Sequence, residues 1–235
     1  MNDAQTTKPI SPTIFILRGT LLAALFSALS LLGAGRWDWP RGWLYVGLMT
    51  ASSLIGGAIV EWANPGLLEA RAKGYGRKDT KPFDRIFYRL FVPVLVVYPL
   101  LAGLDAGRFL WSPLPSWTFW PSLALFLLGS IVTTWTMCVN RFAEGTVRIQ
   151  SDRGQSVINA GPYRLVRHPM YTGVIIGLPA TALLLGSGWA LVPVAIVIAL
   201  FIWRTAREDA TLRQELEGYE EFTKMTRYRL FPGLW

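Results

Sequence analysis

The sequence predicts an all-α fold: a polytopic membrane bundle of about six transmembrane helices that ends in a helical hairpin. Three observations lead there. Of 235 residues, 52% are apolar and only 16% charged, where soluble domains carry about 25% charged residues. The chain also holds 11 Trp and 8 Tyr, heavy for a small soluble core but suited to membrane interfaces. Finally, apolar runs of about 18 residues or more, the length that crosses a bilayer as helix, recur along it.

Thr13–Gly35 is the first such run. It exceeds the roughly 7–15 residues of a signal-peptide core, and no firm small-residue cleavage site lies near Gly33 and Gly35, so it reads as a span. Arg18 is close enough to its start to snorkel to the interface. Gly42–Trp62 gives the second span, and Asn64–Leu68 opens an interfacial helix with Leu67, Leu68 and Ala72 on one side. Ile86–Leu104 and Trp117–Val139 give the third and fourth. In the loop that follows, Thr146–Gln150 and Ser156–Asn159 flank Ser-Asp-Arg-Gly-Gln and predict a small β-hairpin.

Tyr171–Trp203 holds 33 residues. As one helix it would measure about 50 Å, too long for a hydrocarbon core of about 30 Å. Gly186-Ser187-Gly188 breaks it near the middle, so the run folds back on itself. Pro169 suits the first helical turn, where its missing N–H costs nothing. Beyond, Leu212, Leu216, Tyr219, Phe222 and Met225 recur at helical spacing as an amphipathic stripe that Gly218 interrupts. The chain shows no internal repeat and reads as one domain, 1–235.

Lysine and arginine set the orientation. Asn64–Arg85 carries six, Asn140–His168 five and the tail from Arg204 six, whereas the intervening connections hold only Arg36, Arg41 and Arg108. The positive-inside rule places both termini and both long loops in the cytoplasm. Trp37, Trp39, Trp43, Trp111, Trp117 and Trp120 form an aromatic belt on the other side. A net charge of +8 would permit nucleic-acid binding, but the basic residues sit between apolar runs, so the partner is a membrane surface. One cysteine, Cys138, and one histidine, His168, exclude an intrachain disulfide and a Cys/His metal cluster. No spacing suggests a carboxylate metal site.

The hairpin also predicts a meeting. From Pro169 out to Gly186 is about 26 Å of helix, and from Gly188 back to Glu208 about 30 Å. His168, with Arg164 and Arg167 before it, should therefore lie beside Arg204–Asp209. Ionisable groups that face one another at a membrane interface tend to enclose something polar. The plainer alternatives are a helix-start histidine, interface aromatics at Tyr163 and Tyr171, and helix charges paired at i±4. Gly161 and Gly173 remove bulk where a ligand or another backbone approaches.

GPYRLVRHPMYTG (residues 161–173), REDATLRQELEGYEEF (207–222) and RYRLFPGLW (227–235), in that order, resemble the isoprenylcysteine carboxyl methyltransferase family. Its relatives include the membrane phospholipid N-methyltransferases. The resemblance covers about the last hundred residues; NPGLLEARAKG also looks like bacterial members, and the first four spans agree only in character. It implies S-adenosylmethionine bound at the cytoplasmic interface of a bacterial inner membrane, with a cofactor part at about 140–235 and a lipid-like acceptor. Carried over by motif, Gly161, Tyr163, Arg167, His168, Pro169, Tyr171 and Gly173 shape the cofactor site, and Glu208 contacts the cofactor. Asp209 departs from the family's second Glu by one methylene. No G-x-G-x-x-G turn of the soluble nucleotide-binding kind is present.

Charge suggests roles under that resemblance. Glu208 suits the ribose hydroxyls or the sulfonium, Arg167 the carboxylate of the cofactor, and His168 can bond through either ring nitrogen. A carboxylate acceptor needs no general base but does need an orienting cation, for which Arg204 is the candidate. With Glu208 it makes up the catalytic pair. The acceptor expected is a carboxylate of isoprenylcysteine type. A phospholipid amine, a nicotinamide-dependent reductase related to the sterol reductases, and a non-catalytic membrane scaffold are the alternatives.

Overall fold

The computed structural model describes residues 11–74 and 77–235. Eight α-helices follow in order: α1 Pro12–Ala34, α2 Pro40–Ala63, α3 Leu67–Gly74, α4 Pro82–Ala102, α5 Phe119–Val139, α6 Pro169–Leu185, α7 Leu191–Glu215 and α8 Tyr219–Met225. Proline opens α1, α2, α4 and α6, where fixed φ favours the helix and no donor is wasted. Glycine in the left-handed conformation stops α1 at Gly35 and α6 at Gly186. Pro93 and Pro99 lie inside α4, which widens into a π-helical segment at Gly103–Phe109. Lost i→i−4 donors make such a widening easy.

Four helices are long and apolar enough to cross a membrane: Pro12–Ala34, Pro40–Ala63, Pro82–Phe109 and Ser116–Val139. Leu17, Leu21, Leu25, Leu32, Ile55 and Ile131 point outward from them, as lipid-facing side chains do. The arms of the hairpin are shorter. α6 has 17 residues, about 26 Å. α7 is apolar only over Leu191–Trp203 before its charged extension begins at Arg204. Among the described residues six apolar helices are therefore present, of which four are both long and apolar enough to cross a membrane.

Close approach between helices follows small residues. A Cβ on Gly129 of α5 would lie 2.6 Å from the carbonyl oxygen of Gly173 on α6, and a Cβ on Gly173 would strike the Thr133 hydroxyl. α1 meets α4 in the same way at Gly33 and Gly103. At one end of the bundle, fully buried Asp105 accepts from the Ser112 amide at 2.7 Å, the Ser187 hydroxyl at 2.6 Å and the Trp189 amide at 3.2 Å. It thereby ties the end of α4 to the α6–α7 turn. Trp37, Trp111, Trp117 and Trp120 are exposed around that end, but Trp39 is only 7% exposed and packs with Leu31 and Tyr98. Trp39 is thus a core residue rather than part of the belt. It precedes Gly42, whose missing side chain leaves room for the indole.

The expected β-hairpin is not formed. Among the described residues the chain has no strand, only an isolated bridge between Pro113 and Ser187. Thr146–Gln150 pairs instead with the start of α4, through the Lys81 amide to the Val147 carbonyl at 3.0 Å and the Val147 amide to Asp84 at 2.8 Å. The side chain of Gln155 accepts from the Gln150 amide at 2.7 Å, closing the turn. Those local bonds satisfy the backbone that a second strand would otherwise have served.

Candidate functional site

At the end of the bundle opposite Asp105, α6 begins with His168 as its N-cap, and α7 extends past its apolar stretch. The two meet as the hairpin geometry requires. Arg167 donates from Nε to Asp209 Oδ1 at 2.7 Å and from Nη2 to Oδ2 at 3.2 Å. His168 Nε2 lies 3.3 Å from Oδ1, the Tyr219 hydroxyl donates to it at 3.1 Å, and Arg229 Nε donates to Oδ2 at 2.9 Å. Burial alone would raise the Asp209 pKa, but hydrogen bonds from His168 and Arg167, then from Arg229, hold it well below the usual carboxylate range.

The C-terminal segment straps this knot. The amides of Arg167 and His168 donate to the carbonyls of Tyr228 and Arg229, both at 2.9 Å, and the Thr172 hydroxyl donates to Leu230 O at 2.7 Å. Leu230 is buried beneath it with Phe87, Tyr171, Val197 and Phe201.

Glu208 points the other way along α7. Its Oε2 accepts from the Tyr171 hydroxyl at 2.5 Å, and the Tyr171 ring lies parallel to the His168 ring with centroids 5.9 Å apart. One turn earlier, Arg204 is buried, 2.8 Å from Asp84 through Nε and 2.7 Å from Gly145 O through Nη2. Its guanidinium also covers the rings of Phe87, Tyr88 and Tyr171 at 4.5, 5.3 and 5.2 Å.

The Asn140–His168 connection forms a roof. Glu144 and Arg148, with side chains 3% and 2% exposed, make a paired bond at 2.9 Å through both Nε and Nη2. Arg148 also reaches Asp152 at 2.7 Å, and Arg153 reaches Glu144 at 3.2 Å. The Glu144 carboxylate holds the Arg148 guanidinium pKa above its ordinary value. Asn140 donates to the Tyr163 hydroxyl at 2.5 Å.

Together these groups border a cleft of about 100 Å³, lined by Asn140, Glu144, Arg148, Tyr163, His168, Tyr171, Arg204 and Glu208, with Leu212, Leu216 and Phe222 as an apolar wall. Its polar groups carry both signs of charge beside apolar walls. This donor set fits a ligand with a carboxylate, a cation and a flat ring.

Of the residues expected at the site, Tyr163, Arg167, His168, Tyr171, Arg204 and Glu208 line the cleft. Arg167 does so with its guanidinium committed to Asp209 and to the carbonyls of Thr226 and Arg227, so it braces the wall rather than offering a free fork. Asp209 is enclosed in the knot and does not line the cleft. Pro169 opens α6, and Gly161 adopts φ +55° beside Trp135. Gly173 serves the α5–α6 contact. Glu144, Arg148, Asn140, Gln150 and Tyr219 border the cleft as well and were not anticipated. For Glu144 and Arg148 a signal was present in the Glu144, Arg148, Asp152 spacing of four, which in a non-helical loop has no ordinary explanation as helix pairing.

A second, apolar cleft of about 460 Å³ runs between α1, α2, α5 and α6, bordered by Ile16, Gly56, Gly129, Met137, Gly173 and Val174 among others. Met170 and Tyr171 border the first cleft and Gly173 and Val174 the second, so both open within one turn of α6.

Residues 117–217 match the family model described as phospholipid methyltransferase. The matched segment takes in α5, the roof, the whole hairpin and both Glu208 and Asp209. It agrees with the family resemblance of the 161–173 motif. The chain matches no curated protein.

Proposed function

We propose that the chain transfers a methyl group from S-adenosylmethionine to a lipid-like acceptor, at the end of the bundle that lies on the cytoplasmic side of a bacterial inner membrane. One observation carries the reading: the family-matched hairpin brings Tyr171 and Glu208 to a cleft of mixed charge that lies one helical turn from an apolar cleft within the membrane. The donor would use the first cleft and the acceptor's apolar chain the second.

When bound, S-adenosylmethionine supplies a methyl group made electrophilic by its sulfonium. The protein's part is to bind, orient and keep water out. Glu208, fixed by the Tyr171 hydroxyl, offers a carboxylate to ribose hydroxyls or to the sulfonium. Leu212, Leu216 and Phe222 suit a flat ring, and the Glu144–Arg148 roof shields the cleft from solvent. His168 Nε2 faces Asp209, which leaves Nδ1 for a ligand. Arg204 would orient an acceptor carboxylate from its buried position. An ionised carboxylate needs no base, and this favours a carboxylate acceptor of the isoprenylcysteine type.

The family description favours a second reading, a phospholipid amine. Incubation with methyl-labelled donor and either a prenylcysteine acid or phosphatidylethanolamine separates the two. A base-labile ester identifies carboxyl transfer, and a base-stable N-methyl lipid identifies amine transfer. Label in neither product, with turnover of a nicotinamide instead, would refute both.

A further inference from the structure

The geometry points to a second lipid site outside the cleft described above, one that holds an anionic phospholipid between α1 and α4. A groove of about 690 Å³ lies there, and Thr146 is the one described residue that borders both it and the first cleft. Its membrane-interface end is cationic. Lys78, Arg85 and Arg89 line it, and so does Arg77, although Arg77 is committed to Asp79 and Asp152. No carboxylate lines it among the described residues. Among the described residues the side chains of Lys78 and Arg89 make no ion pair or hydrogen bond, and that of Arg85 bonds a carbonyl, that of Lys78, at 2.6 Å.

An independent observation points to a ligand. Thr80, 7% exposed, lines the same groove, and its buried hydroxyl has no hydrogen-bond partner among the described residues. Buried hydroxyls without partners are uncommon because the lost hydration is not recovered. A phosphate oxygen beside Lys78 and Arg85 would supply what Thr80 lacks.

The vertical order of the groove selects the occupant. Arg85, Arg89, Val92 and Leu95 follow one another down a single face of α4, at the spacing of successive turns. Cationic side chains therefore occupy the first two turns and apolar ones the next two, with Phe26 of α1 opposite. A headgroup phosphate above an acyl chain has the same polarity profile, whereas a free phosphate would leave the apolar half unused. Clustered basic residues next to a span attract anionic lipid.

The test uses the full chain in neutral detergent, titrated with phosphatidylglycerol or phosphatidylcholine and read by native mass spectrometry. Phosphatidylglycerol should bind at least tenfold more tightly. Lys78→Gln/Arg89→Gln should weaken it at least tenfold. Lys73→Gln/Lys224→Gln, which removes the same charge elsewhere, should change it less than twofold. Thr80→Val should weaken it several-fold with charge unchanged, and Lys78→Gln alone gives the same reading should the double variant fail to fold. Glycerol phosphate should not displace the lipid. Equal binding of the two lipids, equal loss in the control variant, or displacement by glycerol phosphate would each overturn the proposal.

Discussion

Arg167 and Asp209, forty-two residues apart in sequence, form a buried two-point ion pair at 2.7 and 3.2 Å that fastens the start of α6 to the charged end of α7. Both side chains are almost wholly withdrawn from solvent, 3% and 0% exposed. The pair holds together because the remaining lone pairs and N–H groups are also met, by Tyr219, Arg229 and the carbonyls of Thr226 and Arg227. A buried charge left without its partner is costly, whereas a fully met network is not.

Removing the shared carboxylate should therefore be the most damaging single change at this end. Asp209→Ala leaves Arg167 buried and uncompensated, at a cost of about 3–5 kcal/mol. In detergent the unfolding midpoint should fall by roughly 5–20 °C. Asp209→Glu keeps the charge but forces one methylene into a fully buried site, so a smaller loss of about 1–3 kcal/mol is expected. A thermal shift below 2 °C for the alanine variant would show that the knot does not hold the fold.

Glu208 should behave differently from its neighbour. Its carboxylate is tied to one protein group, Tyr171, and borders the cleft. Glu208→Ala should lower S-adenosylmethionine affinity at least tenfold, about 1.4 kcal/mol, with a thermal shift well below that of Asp209→Ala. Tyr171→Phe removes only the hydroxyl that fixes Glu208, so a smaller loss should follow. Equal thermal damage from the two acidic variants would assign Glu208 to the scaffold.

Gly173 belongs to helix packing, and this can be separated from ligand binding. Gly173→Ala drives a methyl group into Thr133 and the Gly129 carbonyl, an overpacking that typically costs about 1–3 kcal/mol. Adding Thr133→Ala should restore part of the stability but not all, because the α5 backbone still obstructs. If instead Gly173→Ala left the midpoint unchanged and abolished binding, the residue would belong to the ligand site.

Roof and cleft should be coupled. Glu144→Gln removes the charge that meets the buried Arg148 guanidinium, so the loop should open. Limited proteolysis between Asn140 and His168 should speed up several-fold, and donor affinity should fall with it. Faster cleavage at unchanged affinity would show that the roof does not shape the cleft.

The spans and the hairpin were readable in the sequence because they depend on local quantities: apolar length, proline at helix starts, glycine at helix ends. The meeting of His168 with Asp209 was readable because two helices of known rise, joined by Gly186–Gly188, must return to the same depth. The loop was not. Thr146–Gln150 has the alternation of a strand, yet the Val147 amide goes to Asp84, a residue at the start of α4, and no local pattern encodes that choice. Arg167 was legible as a site residue but not in its role, since its partners Thr226 and Arg227 come from the distant strap. Trp39 was read as interfacial from its neighbours; only the space at Gly42 explains why it turns inward.

The central claim is that this cleft binds S-adenosylmethionine through Glu208 and His168. Calorimetric titration of the donor into the detergent-purified chain, beside Glu208→Ala and His168→Ala, tests it most directly. Micromolar binding to the wild type that weakens at least tenfold in both folded variants is the predicted result. A folded wild-type chain that releases no heat with the donor, or variants that bind as tightly as the wild type, would contradict it.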